Sequence, residues 1–182
     1  KKIKYMFPKA HAAAYVMMAF RIAYYKINFP LAYYAAFFSI RATSFNYSTM
    51  ALGRDVLEYN MKELEKNPDR SNKEDETLKD MKIVREMYAR GFSFWKMDLY
   101  KAKASKFSII DGKLMPALNT IEGLGGTAAD AVEAAAKNGP FLSKDDFRIR
   151  TKASKTVIDL LDSLGILGDI PETNQISLFD LQ

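Results

Sequence analysis

Apolar side chains run almost without interruption through the first forty-five residues, and the few interruptions mark the elements. Pro8 opens a stretch rich in Ala, Met, Tyr and Phe that continues to about residue 27. Proline suits a first helical turn, where its missing N–H would have had no partner, so the stretch predicts a helix. Within it His11, Tyr15, Met18, Ile22 and Tyr25 recur at spacings of four and three and share one face. Asn28-Phe29-Pro30 breaks the pattern, because the residue before a proline is driven out of the helical region. A second run, residues 31–42, carries almost no polar residue and predicts a buried helix that pairs with the first as a helical hairpin.

Amphipathic spacing then predicts two longer helices, over residues 50–66 and 72–90, separated by Asn67-Pro68-Asp69 and closed at Gly91. They read as connecting scaffold. From Phe92 the period changes. Residues 106–110 and 113–118 flank Asp111-Gly112, a pair that tolerates the two consecutive positive φ angles of a type I′ turn. This hairpin is the one β element the pattern predicts. Short helices follow over residues 116–120, 127–137, 144–149 and 154–164, and residues 168–182 read as an extended tail.

Composition adds a contrast between the two ends. The chain has 182 residues, 48% hydrophobic and 27% charged, the balance of a folded globular protein. Its net charge is +5, yet residues 1–50 hold seven Lys or Arg and no Asp or Glu, leaving twenty cations against twenty-two anions elsewhere. Thirteen of the 23 aromatic residues also fall in those fifty. A basic, aromatic stretch suits a polyanion, most simply nucleic acid; a core-forming helix pair with a few solvated lysines is the alternative. The absence of cysteine removes disulfides and thiolate chemistry and fits a reducing, cytoplasmic setting. Uncharged runs at 12–20 and 31–40 fall short of the roughly 20 residues that cross a bilayer, so no membrane partner is expected. Lys1 is not an initiator methionine and Lys1-Lys2-Ile3-Lys4 is not a signal peptide, which reads as a piece of something longer.

Four segments carry candidate chemistry. In Ile121-Glu122-Gly123-Leu124-Gly125-Gly126-Thr127-Ala128-Ala129, a Gly-rich turn opens a helix. Glycines let successive amides converge on one phosphate oxygen at the positive end of a helix, and the small Ala129 lets two helices approach. The spacing resembles the helix-hairpin-helix signature of modules that grip duplex DNA by its backbone; an ordinary Gly-rich helix start is the alternative. Arg150-Thr151-Lys152-Ala153-Ser154-Lys155 reads either as a degenerate second hairpin, with three cations for phosphates, or as a solvated basic turn in which Ser154 caps a helix. Lys9 and His11 at a helix start suit a polyphosphate, with Tyr15 one turn on able to stack on a base, or all three are merely structural. In the tail, Asn174-Gln175-Ile176-Ser177-Leu178-Phe179 resembles the bacterial sliding-clamp-binding peptide: Leu178 and Phe179 fill an apolar pocket and Gln175 meets its rim. Docking of Leu178 and Phe179 back onto their own domain is the alternative.

Taken together these residues resemble the alpha subunit of bacterial DNA polymerase III, PolC type, at its C-terminal end. The likeness rests on the run from Lys2 to Tyr15, on Arg90-Gly91-Phe92 with Asp98-Leu99-Tyr100, on the turn at 123–126, on Phe141-Leu142-Ser143-Lys144 and on the terminal Gln175 to Phe179. It implies a mainly α chain in three parts: the end of a helical fingers domain with connecting helices (1–98), a small β-hairpin with a helix-hairpin-helix duplex-binding module (99–168), and an extended tail with the clamp-binding peptide (169–182). It implies that Lys9, His11 and Tyr15 lie beside the incoming deoxynucleoside triphosphate. Gly123, Leu124, Gly125, Gly126 and Thr127, with Lys152, Ser154 and Lys155, would hold duplex DNA, and Gln175, Ile176, Ser177, Leu178 and Phe179 the clamp. Other replisome subunits are further implied partners. The catalytic carboxylates and their Mg2+ belong, by the same likeness, to a palm domain that no acidic cluster here replaces, so the fragment alone is expected to be inert. Ile176 stands where the family commonly has Leu, and the chain continues through Asp180-Leu181-Gln182. A DNA- and clamp-binding adaptor without polymerase activity is the rival reading.

Overall fold

A computed structural model describes residues 8–174. It is mainly helical, with helices α1 (Lys9–Asn28), α2 (Pro30–Ile40), α3 (Tyr47–Met50), α4 (Arg54–Lys66) and α5 (Asn72–Ala89) in the first half. Strands β1 (Ser108–Ile110) and β2 (Lys113–Met115) follow, then a 3-10 turn at Leu118–Thr120, and helices α6 (Gly126–Lys137), α7 (Lys144–Thr151) and α8 (Lys155–Ser163).

The helical hairpin forms where the sequence predicts it. Phe29 leaves the helical region at φ −133°, and its N–H still reaches back to the carbonyl of Tyr25. Burial, however, departs from expectation. The apolar face of α1 is open, with no residue of that helix buried, and α2 buries only Tyr34 and Phe38 while Ile40 stays 74% exposed. A helix that is apolar all round needs cover on every side, and here only the side of α2 facing the β-hairpin and α5 has it.

The expected helix over 50–66 is two. Asn46 caps α3 by accepting from the Thr49 N–H, and Gly53, at φ +116°, redirects the backbone before Arg54 starts α4. In α5, Ser71 and Glu74 satisfy each other's backbone amides in a reciprocal capping box, and Gly91 in the left-handed region ends the segment, as predicted.

Phe38, Phe45, Phe94 and Phe107 form a knot in which every pair of rings lies 5.0–6.2 Å apart, tying α2 to the loop after it and to the β-hairpin. Such pairs add about 0.5–1.5 kcal/mol each beyond the area they bury. The turn between the strands has Asp111 at φ 46° and Gly112 at φ 74°, the two positive angles expected of type I′. The strands are shorter than predicted, because Pro116, Ala117 and Leu118 leave the ladder for the core. Instead Trp95 donates its N–H to the Leu114 carbonyl and its indole N–H to that of Ile110, so a third segment lies against the hairpin. From Tyr34 to Leu167 the buried residues form one continuous cluster.

Candidate nucleic-acid interface

The first Gly-rich turn is built around one buried side chain. Leu124 is 1% exposed and anchors the loop in the core, while Gly125, Gly126 and Thr127 remain on the surface. Gly123, at φ +79°, supplies the left-handed step that lets the chain reverse over Leu124. Gly125 is the N-cap of α6, and no side chain caps that helix. The first-turn amides, which have no partner inside a helix, therefore lie at an exposed positive end. Ala129, fully buried one turn on, seats α6 against its neighbours.

Residues 152–158 repeat this construction. Lys152 takes the left-handed conformation at φ 56°, Ala153 is buried, Ser154 is the N-cap of α8 and Lys155 its first residue. Counted from Gly123, the corresponding residues are Leu124 buried, Gly125 as N-cap and Gly126 as first helical residue. Six residues after the left-handed position, Ala129 in one copy and Ile158 in the other are buried. The two turns also touch. A β-carbon placed on Gly123 would stand 3.4 Å from Val157 Cγ2, in the first turn of α8. Lys152, Ser154 and Lys155 are exposed, and Ser154 accepts from the Val157 N–H, so cap and surface group are the same residue.

Arg150, expected among the phosphate-facing cations, is committed elsewhere. Its guanidinium donates to the carbonyls of Ala135, Gly139 (3.0 Å) and Pro140 (2.9 Å) and to Asp146 (3.2 Å), over the ring of Phe141 at 4.4 Å. The Ala135 carbonyl near the end of α6 also accepts from the Asn138 N–H, and a planar five-donor group reaches it together with the loop carbonyls of Gly139 and Pro140.

At the other end of the chain, Lys9 begins α1, and the rings of His11 and Tyr15 meet edge to face at 4.5 Å, with Tyr15 66% exposed. Farther along, four residues to which sequence reasoning gave no role of their own form a network between α1, α2, α5 and the residue after it. Lys26 Nζ stands 2.7 Å from Glu86 Oε2, Tyr34 donates to Glu86 Oε1, and Arg90 donates both to the Tyr34 hydroxyl and to the Lys26 carbonyl. Burial pushes the Glu86 carboxyl up, but the bonds from Lys26 and Tyr34 and the nearby cations outweigh it and hold it below the usual range. The bond to Glu86 raises Lys26 in turn. A signal was present: the first fifty residues contain no acid, so any ion pair made there must draw its carboxylate from elsewhere.

Beside the first turn, the loop at 43–49, α4 and α5 enclose an open groove of about 900 Å³ lined by Asn46, Asn60, Glu63, Lys73 and Glu122 among others. The start of the tail is held. Lys144 and Asp145 donate backbone N–H groups to the carbonyls of Pro171 and Glu172, and Lys144 Nζ joins Asp162 (2.9 Å) and Glu172 (2.7 Å). Gln175, Ile176, Ser177, Leu178 and Phe179 lie outside the described residues, as does the stretch before Pro8. Among the described residues no three His, Asp or Glu side chains come together as a metal site, and no helix is long and apolar enough to cross a membrane.

Comparison with known proteins agrees with this geometry. Residues 91–176 match the helix-hairpin-helix motif family. The chain is 50% identical over 180 residues to "DNA polymerase III PolC-type" of Bacillus cereus, 48% over 180 residues to that of Caldanaerobacter subterraneus and 49% over 182 residues to that of Streptococcus sanguinis. These matches cover 98% of the chain but only 12–13% of each relative's length. The chain, a mainly helical segment with a helix-hairpin-helix motif, belongs to the PolC-type DNA polymerase III family.

Proposed function

We propose that this segment grips duplex DNA by its phosphate backbone as part of a replicative, DNA-directed DNA polymerase in the bacterial cytoplasm. The observation that carries the reading is the repeat: two turns of the same construction, in contact through Gly123 and Val157, each opening a helix at the surface. Paired helix starts offer two sets of amides to two phosphates, and Lys152 and Lys155 add positive charge beside one of them. Since the relatives are called DNA polymerases, the duplex so held is the one they extend.

In the same reading Lys9, His11 and Tyr15 at the head of α1 face the incoming deoxynucleoside triphosphate. Gln175, Ile176, Ser177, Leu178 and Phe179 tether the polymerase to its sliding clamp, near other replisome subunits. In this reading the metal-dependent transfer, with its Mg2+, belongs to other parts of the polymerase.

Duplex titrations across salt test the grip. Affinity is expected to fall steeply with added salt and to be nearly the same for unrelated sequences, and the double change K152E/K155E is expected to flatten the salt dependence by about two phosphate contacts. A strong preference for one sequence refutes a backbone grip. For the tether, L178A/F179A is expected to weaken clamp binding about a hundredfold or more and leave duplex binding alone; equal clamp affinity in that variant refutes it.

A further inference from the structure

Helix α1 is a lever. Its 20 residues span about 30 Å, none is buried, and Lys9, His11 and Tyr15 sit in its first two turns while Lys26 sits in its last. Along most of its length it presents exposed apolar side chains, among them Val16, Met17, Phe20 and Ile27. Among the described residues, what fixes its direction is concentrated at the joint with α2. There Lys26 is held twice by α5 and its C-cap: its ammonium by Glu86 at 2.7 Å, and its carbonyl by the capping residue Arg90 at 3.0 Å. Tyr34, fully buried on α2, completes the arrangement by donating to Glu86 at 3.1 Å and accepting from Arg90 at 3.1 Å. Arg90 also stands 5.7 Å from the ring centroids of Tyr34 and Phe92, which limits its own freedom.

We propose that Glu86 and Arg90 are positioning residues for nucleotide incorporation, acting through Lys26 to set the angle of α1 and so the place of Lys9, His11 and Tyr15. The inference rests on the reading of those three as nucleotide-side groups. The distance from Lys26 to Lys9 is about 25 Å along the helix, so a rotation of about 10° at the joint carries Lys9 through about 4 Å. Misplacement of an orienting group by even about 1 Å is enough to slow a reaction severely. Two independent attachments, one to a side chain and one to the backbone, resist both swing and twist. The neutral replacement of Glu86 by Gln keeps the shape and an acceptor for Tyr34 but removes the ion pair; Lys in place of Arg90 keeps the charge but lacks the planar fork whose two terminal nitrogens separately reach the Tyr34 hydroxyl and the Lys26 carbonyl.

The test uses the complete polymerase that contains this chain, with steady-state incorporation on a primed duplex and duplex affinity measured in parallel. E86Q, R90K and K26E are each expected to raise the nucleotide KM about tenfold, with duplex affinity unchanged. Adding E86K to K26E is expected to restore KM to within about twofold of the parent, as coupled partners do in a double-mutant cycle. K9A serves as the reference for the nucleotide-side reading. Parent-like KM in E86Q and R90K beside an impaired K9A overturns the proposal and leaves that reading standing, whereas parent-like KM in K9A removes both. Loss of duplex affinity in step with KM, unrestored by the charge swap, assigns the four residues to stability alone and overturns the positioning role.

Discussion

The two ends of this chain solve opposite problems with similar material. Helix α1 is rich in aromatic and aliphatic residues and buries none of them, whereas α6, α7 and α8 are short and surround Leu124, Ala129, Val132, Phe147 and Leu161, all 1% exposed or less. The open end is basic and lacks acids; the closed end has its charges paired, as Arg150 and Lys144 illustrate. Apolar surface left uncovered along α1, while the other helices pack into one core, sets that helix apart among the described residues. The module at the other end buries most of its large apolar groups, with Leu142 and Ile149 as exposed exceptions, and its two turns present backbone amides and a few cations.

That contrast can be broken most sharply by truncating one large apolar residue on each side, buried Leu124 and exposed Met17. L124A removes the anchor of the first turn and is expected to cost about 2–5 kcal/mol in denaturant unfolding, while M17A on the open face of α1 is expected to change stability by less than about 0.5 kcal/mol. Equal costs would mean that α1 is packed in solution. A second change separates binding from folding within the module. T127E adds a negative charge at the exposed start of α6, which favours the helix but repels a phosphate, so duplex affinity at low salt is expected to fall about tenfold with the melting temperature unchanged or slightly raised. A parallel loss of stability would place Thr127 in the fold instead of the interface.

Acid offers a gentler lever on the joint between the two ends. Because the folded-state value of Glu86 lies below the ordinary 4.5, its contribution is present above that pH and is lost as pH falls through the lower folded value. Hydrogen exchange in α1 and α2 is therefore expected to quicken below about pH 4.5 before exchange in α6 does, and E86Q is expected to erase the difference. On the alkaline side Lys26, raised above 10.5, contributes up to that pH and ceases to as pH rises beyond its folded value. The smallest expected effect is that of Lys66, an exposed partner of Glu63 within α4: K66A is expected to leave the denaturant midpoint unchanged, since solvent screens such a pair.

Much of the architecture was legible residue by residue because the signals are local. Pro8, Asn28-Phe29-Pro30, Gly91 and Asp111-Gly112 each act through a backbone angle or an amide within a few positions, and the elements they bound form where they were expected; the local box of Ser71 and Glu74 was not singled out. The split at Gly53 was missed because apolar spacing continues across it; only the φ of +116° reveals the break. Burial of α2 was overestimated for a different reason: apolar character states a need for cover, and the cover is supplied by other segments. Arg150 was misjudged because a cation beside a turn reads as a ligand for phosphate until the carbonyls of Ala135, Gly139 and Pro140 are found beside it.

The sequence by itself determined where the backbone turns, which helices form and which turn has the glycines to approach a phosphate, since these depend on neighbours along the chain. Only the tertiary structure decided that Gly123 meets Val157, that the turn at Lys152 copies the one at Gly123, and that Lys26 finds Glu86 sixty residues away. Contacts of that range are selected by how whole elements pack, and no local preference encodes them.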